Sequence, residues 1–186
     1  MALAHGAALS AAWTTPMVAG ARVILPTGAT SGPQLAAFDV TSGKPAWTTD
    51  GLLHSFNPAP GSTDEDGGHV LYHHSRPPGV SGLTAVHAET GVIAWQIDGQ
   101  DGESDATPVP VAPGRVLIET WAQVSLYDVA MRKPVWTNKE IAAARAPAIS
   151  HDRHLYTFGG QSGEFMTCLD AATGRVKWTS RIVRVR

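Results

Sequence analysis

The sequence has one cysteine, Cys168, in 186 residues, so no intrachain disulfide and no cysteine-based zinc cage can form. Charge is sparse as well, at 16% against the roughly 25% usual for a soluble domain, which excludes a disordered polyelectrolyte and a coiled coil. No run of 18 apolar residues occurs, so a transmembrane helix is excluded. The opening MALAHGAALSAAW is small and apolar but has no basic segment ahead of it, and so reads as a poor signal peptide. A net charge of -2 supplies no bulk field for nucleic acid or an anionic membrane, and neither is expected as a partner. There is no G-x-S-x-G, P-loop, G-x-G-x-x-G or H-E-x-x-H, which leaves hydrolase, nucleotide-binding and zincin readings without support.

Aromatics are few except for tryptophan, with 4 Phe and 3 Tyr against 6 Trp. Four of those tryptophans close ungapped thirteen-residue copies: LAAFDVTSGKPAW ending at Trp47, LTAVHAETGVIAW at Trp95, VSLYDVAMRKPVW at Trp136 and MTCLDAATGRVKW at Trp178. Their spacings of 48, 41 and 42 residues match four-stranded propeller blades and exceed those of ankyrin or tetratricopeptide repeats. Each copy reads as strand, tight turn, strand, because an alternating apolar run meets a Thr-Gly or Ser-Gly pair and resumes. Gly43, Gly91 and Gly174 stand where a hairpin needs positive φ. Asp39, Asp128 and Asp170 are placed to accept hydrogen bonds from turn N–H groups, with His87 in the second copy. The third copy has Met131-Arg132 in place of the Gly turn, and a differently shaped turn is expected there.

Upstream of each copy a proline (Pro16, Pro58, Pro108, Pro147) precedes a small turn and a β-rich run such as GARVIL or PGRVLIE. Two strands there and two in the tryptophan segment make an all-β chain of four-stranded antiparallel blades, at about 14–48, 56–96, 106–138 and 145–180. Trp13 falls outside the tryptophan register and is assigned to the first strand. Lys139 to Arg145 is the only helical-looking stretch, and at seven residues it is expected to be a loop or a single turn.

The pattern A-x-D-x-x-T-G-x-x-x-W, as in Ala37 to Trp47 and Cys168 to Trp178, resembles the tryptophan-docking repeat of the pyrroloquinoline-quinone (PQQ)-like β-propellers. The resemblance implies that Trp47, Trp95, Trp136 and Trp178 are structural, each packing against the hairpin of a neighbouring blade. It also implies rings of about seven or eight blades. The chain is therefore expected to be a single partial propeller domain whose end blades leave apolar faces open to a homodimer partner or to the remaining blades.

In such a blade the loops opposite the Thr-Gly turns form the face that holds ligands in the family. On it fall His54, Asn57, Asp105 and Arg145 from interblade loops, and His73, His74, Arg76, Trp121 and Gln161 from inner loops. Solvated loop residues are the competing reading for each. Consecutive strand positions such as His73 and His74 point to opposite faces and cannot chelate one metal together. His151 and His154 flank a turn on the other face. Asp64-Glu65-Asp66 and the run from Asp98 to Asp105 are oxygen-rich but lack EF-hand spacing. The basic end, Arg175 to Arg186, reads as a charge-protected edge strand.

By resemblance, the leading expectation is a non-catalytic binding or scaffolding module for a protein, peptide or envelope polymer, periplasmic or extracellular, with no cofactor. Non-enzymatic members of the family include an outer-membrane-barrel assembly lipoprotein and extracellular sensor domains of bacterial kinases. The alternative is a fragment of a PQQ- and calcium-dependent alcohol or sugar dehydrogenase. Those enzymes place the quinone against a disulfide between adjacent cysteines, which this sequence does not contain.

Overall fold

The computed structural model describes residues 16–27, 29, 32–52, 59–63, 68–76, 80–102, 106–141, 146–159 and 165–181. Trp13, Asp64 to Asp66, Arg184 and Arg186 lie outside them. The described residues form sixteen strands and no helix. The first blade contains β1 (Met17–Ala19), β2 (Arg22–Pro26), β3 (Leu35–Asp39) and β4 (Pro45–Thr49), and the second β5 (Ala59–Thr63), β6 (His69–Arg76), β7 (Val80–His87) and β8 (Ile93–Asp101). The third contains β9 (Val109–Ala112), β10 (Arg115–Glu119), β11 (Val124–Asp128) and β12 (Lys133–Asn138), and the fourth β13 (Ile149–His151), β14 (His154–Gly159), β15 (Phe165–Asp170) and β16 (Val176–Arg181). Each blade is one antiparallel sheet with its strands in chain order. Residues 139–141, the described part of the helical-looking stretch, run as a link between blades. The chain is thus an all-β partial propeller of four blades.

Three of the four hairpin turns share one hydrogen-bonding plan. Asp39 Oδ1 accepts from the Ser42 N–H at 2.8 Å and Asp170 Oδ1 from the Thr173 N–H at 3.0 Å. In the third, Asp128 Oδ1 accepts from the Met131 N–H at 2.8 Å. These bonds hold the carboxyls below the ordinary carboxylate range: the Ser42 N–H for Asp39, the Met131 N–H for Asp128 and the Thr173 hydroxyl for Asp170 are the largest causes. The third turn is not shaped differently, contrary to the expectation from Met131-Arg132. Arg132 adopts φ 55°, beside 67°, 73° and 68° for Gly43, Gly91 and Gly174. The aspartate bond and the strand pairing below it impose the conformation, and the arginine bears a backbone strain of about 1–2 kcal/mol. His87 does not reproduce the bond; its ring stacks obliquely on His69 with centroids 4.3 Å apart.

The core lies between blades. One blade alone has two apolar faces and can bury them only against neighbours. Ile24 and Ala37 pack with Ala88 and Trp47 across the first junction, joined by a second cluster of Leu35, Leu52 and Val86. Leu71, Leu83 and Ala85 meet Val116, Ile118 and Tyr127 across the second. Leu117, Val124 and Leu126 meet Leu155 and Leu169 across the third.

The tryptophans stitch these junctions. Trp47 Nε1 donates to the Ala88 carbonyl at 2.9 Å, and its ring lies over Gly91, where an added Cβ would come within 2.5 Å of Cε3. Thr49 Oγ1 donates to the Gly91 carbonyl at 2.6 Å. The third junction repeats the arrangement: Trp136 Nε1 donates to the Ala171 carbonyl at 3.0 Å over Gly174, and Asn138 Nδ2 to the Gly174 carbonyl at 2.8 Å. The second differs, since Arg132 stands in the glycine position with its guanidinium carbon 5.9 Å from the Trp95 ring centroid.

Trp47→Ala is expected to lower stability by about 3–5 kcal/mol. Gly91→Ala is expected to lower it by about 2–4 kcal/mol, combining backbone strain with displacement of the indole. Urea unfolding checks both, and equal effects of Gly91→Ala and Gly114→Ala, the latter at a positive-φ glycine with no neighbour within 4 Å, would show that the indole contact adds nothing.

Candidate functional site

At the end of the blades opposite the aspartate turns, β10 and β11 are joined by Thr120 to Gln123. Thr120 ties this loop shut. Its N–H donates to the Gln123 carbonyl at 2.8 Å, its hydroxyl donates to the same carbonyl at 3.1 Å, and the hydroxyl oxygen accepts from the Ala122 and Gln123 N–H groups at 3.3 and 3.1 Å. Thr120 and Gln123 are buried, while Trp121 is carried on the outside of the loop and is 49% exposed. Gly102, in the link from the second blade, lies underneath at φ 87°, where a Cβ would come 2.9 Å from the Ala122 nitrogen. Trp121 is therefore a large apolar side chain held outward on a rigid tip.

Immediately beside it, Glu119 ends β10 with only 2% of its surface exposed. One carboxyl oxygen accepts from the Ala148 N–H at 2.7 Å, and the other is bonded to the Thr157 hydroxyl, so a third-blade side chain grips both strands of the fourth blade's first hairpin at its open end. Burial pushes its pKa up to about 7, against the opposing pull of the Thr157 and Ala148 bonds. Next along the loop, Gln123 Nε2 donates to Ser125 Oγ at 3.4 Å, and Ser125 Oγ shares a hydrogen bond with Thr137 Oγ1 at 3.1 Å.

The other sequence-derived candidates distribute as follows. His73, His74 and Arg76 are not in an inner loop: β6 continues through all three, opposite Leu83, Gly82 and Val80, because β6 and β7 form an eight-residue ladder. His54, Asn57, Asp105, Arg145 and Gln161 lie outside the described residues. The acidic run from Asp98 is strand as far as Asp101. His151 and His154 flank a two-residue turn in which Asp152 and Arg153 have φ of 50° and 64°, and His154 Nδ1 lies 2.8 Å from the Asp152 carbonyl. Among the described residues no three His, Cys, Asp or Glu side chains converge as metal ligands. An open groove along β16 is bordered by Ile141, Phe165, Thr167 and Thr179, and Glu140 is the titratable residue among its described neighbours. Cys168 is buried.

Sequence reasoning missed Glu119. Its signal is the acid closing the apolar run VLIE, at a strand position where the alternation calls for an inward side chain.

Four blades of one strand order, joined through tryptophans and hairpin turns, define a PQQ-like β-propeller. Residues 4–180 match the family described as outer membrane protein assembly factor BamB, and the chain belongs to that family. No curated protein sequence matches it. Among solved structures, BamB from Moraxella catarrhalis is similar at 20% identity and a TM-score of 0.63, over 88% of this chain and 47% of that one. A europium-containing methanol dehydrogenase is similar at 14% identity and a TM-score of 0.65, over 92% of this chain and 42% of that one. The chain thus spans less than half the length of either, and the likeness is one of fold. No described helix is long and apolar enough to cross a membrane.

The folded chain prefers Glu119 protonated, so as pH rises the unfolded chain gives up this proton first. Its contribution to stability is complete below about 4.5 and declines until about 7, by on the order of 3 kcal/mol. Glu119→Gln is expected to abolish this decline in urea midpoints measured across that window. An unchanged slope would assign the titration to another group.

Proposed function

We propose that the chain is a non-catalytic binding module that holds a protein or peptide partner during assembly of the cell envelope. The observation that carries this reading is membership, over residues 4–180, of a family described as an outer membrane protein assembly factor. Trp121 is the partner-contacting residue we favour, since an exposed indole on a rigid loop offers much apolar area at little entropic cost. Work on outer membrane proteins would place the chain outside the cytoplasm, in the periplasm or at the extracellular side, with no cofactor required. Nucleic acid has no part in this reading, and the charge of -2 agrees.

A second reading has one observation in its favour, the fold similarity to a methanol dehydrogenase. Under it the chain would be a portion of a PQQ- and calcium-dependent dehydrogenase. Bound PQQ would supply the oxidising quinone, and its site would lie in another part of the protein. The single Cys168, itself buried, rules out an adjacent cysteine pair within this chain.

The test uses a fluorescently labelled outer-membrane β-barrel protein, diluted from urea and titrated with the chain. Saturable binding is expected, and Trp121→Ala should weaken it about tenfold or more while leaving the unfolding midpoint unchanged. Dye reduction on adding PQQ, calcium and an alcohol, without barrel binding, would favour the dehydrogenase reading instead.

A further inference from the structure

The two end blades carry the two halves of a junction that is already formed elsewhere in the molecule. At the first and third junctions the donating strand supplies a tryptophan and, two residues later, a hydrogen-bonding side chain: Trp47 with Thr49, and Trp136 with Asn138. The receiving hairpin supplies a carbonyl at Ala88 or Ala171 and, three residues on, a buried glycine whose carbonyl accepts the second bond. The fourth blade ends in the donor half. Trp178 stands 44% exposed on β16 with the Tyr156 ring beside it, centroids 6.1 Å apart, and Ser180 occupies the position two residues on.

The first blade begins with the receiving half. Val40 takes the place of Ala88 and is 50% exposed, where Ala88 is 2%. Gly43 takes the place of Gly91 and has its left-handed backbone, with φ 67° beside 73°, yet an added Cβ at Gly43 would meet nothing within 4 Å. The sheet faces agree. Phe38 is only partly buried where its counterparts Val86, Tyr127 and Leu169 are buried, and Val18 on the adjoining edge is 62% exposed. On the fourth blade Ile149, paired with Tyr156 and so on the Trp178 side, is 63% exposed.

We propose that these halves meet between two copies of this chain. The Trp178 indole of one copy lies over Gly43 of the other and donates to the Val40 carbonyl, while the Ser180 hydroxyl donates to the Gly43 carbonyl. The occupant is a second copy because the vacant socket repeats the features that receive this chain's own tryptophans. Two such junctions related by a two-fold axis close the assembly and leave no end open. The proposal is independent of which partner the inner-loop face binds.

Sedimentation equilibrium of the 186-residue chain at tens of micromolar is expected to give twice 19.6 kDa. Trp178→Ala and Gly43→Asn are each expected to weaken dimerisation about 100-fold or more, because each damages both junctions. Asn tolerates the left-handed backbone, and Trp178 is half in solvent, so both variants should keep their circular dichroism. Mixed in equal amounts, the two variants should associate more tightly than either alone, since the mixed dimer keeps one intact junction. A monomer at these concentrations, growth beyond two copies, or a mixture no tighter than its components would each overturn the proposal. Trp121→Ala, equally exposed but away from the end blades, should leave the dimer unchanged.

Discussion

The constraint on which the rest of the molecule depends is the seating of an indole on a glycine turn of the next blade. Gly91 and Gly174 satisfy two demands with one residue. The hairpin needs positive φ at that place, and the indole needs a surface with no Cβ. Once the ring lies flat, its N–H reaches the carbonyl three residues earlier, at Ala88 or Ala171, so one side chain fixes both the separation and the rotation of two sheets. Apolar burial between sheets is not directional. The indole bond supplies the direction, and the clusters around Ile24, Leu35, Leu117 and Leu169 then fall into register.

The second junction shows what happens when that seat is lost. Arg132 has a side chain where the glycine would be, and Ile97 replaces the hydroxyl or amide found at Thr49 and Asn138. Among the described residues Trp95 makes no hydrogen bond to the third hairpin. Its ring instead has the Arg132 guanidinium nearby and the cluster of Leu71, Leu83, Val116, Ile118 and Tyr127 beneath it, with Ile97 added at the margin. Burial pushes the Tyr127 hydroxyl above its usual range, in keeping with the dryness of that junction. A cation over an indole contributes about 0.5–1 kcal/mol at a partly exposed site, comparable to one of the two polar bonds found at the other junctions. The surface ion pairs at the first junction, such as Arg22 with Glu89 at 2.9 Å, add little by comparison.

Most of the architecture was legible in the sequence because the repeat acts locally. The alternation in Leu35 to Trp47 and its three copies specifies strand, turn and strand without reference to distant residues, and the observed hairpins follow it. The third turn was misjudged for an instructive reason. Residue type at one position was weighed without the aspartate bond that holds the turn, and Asp128 outweighs the preference of Arg132. Placement of His73, His74 and Arg76 in a loop failed because strand ends are set by pairing, and β7 pairs as far as Val80. Glu119 was not legible as a bridge, since its partners Ala148 and Thr157 are 29 and 38 residues away and only the folded junction brings them together.

The position of Glu119 connects the two ends of the blade. The tryptophan seats lie toward the aspartate turns and consume their side chains in packing. The loop between β10 and β11 at the opposite end is held instead by short-range polar bonds, those of Thr120. Trp121 and Ala122 are exposed on this loop. Glu119, beside that loop, reaches into the next blade, and it does so neutral or charged according to pH around 7. Deprotonation would strengthen the acceptor for the Ala148 N–H while leaving an unmatched charge in a dry junction, and burial dominates that balance. The third and fourth blades are thus held at the turn end by Trp136 and at the loop end by a carboxyl. The carboxyl is the pH-dependent one of the two, since its protonation changes around 7 while the indole bond does not titrate.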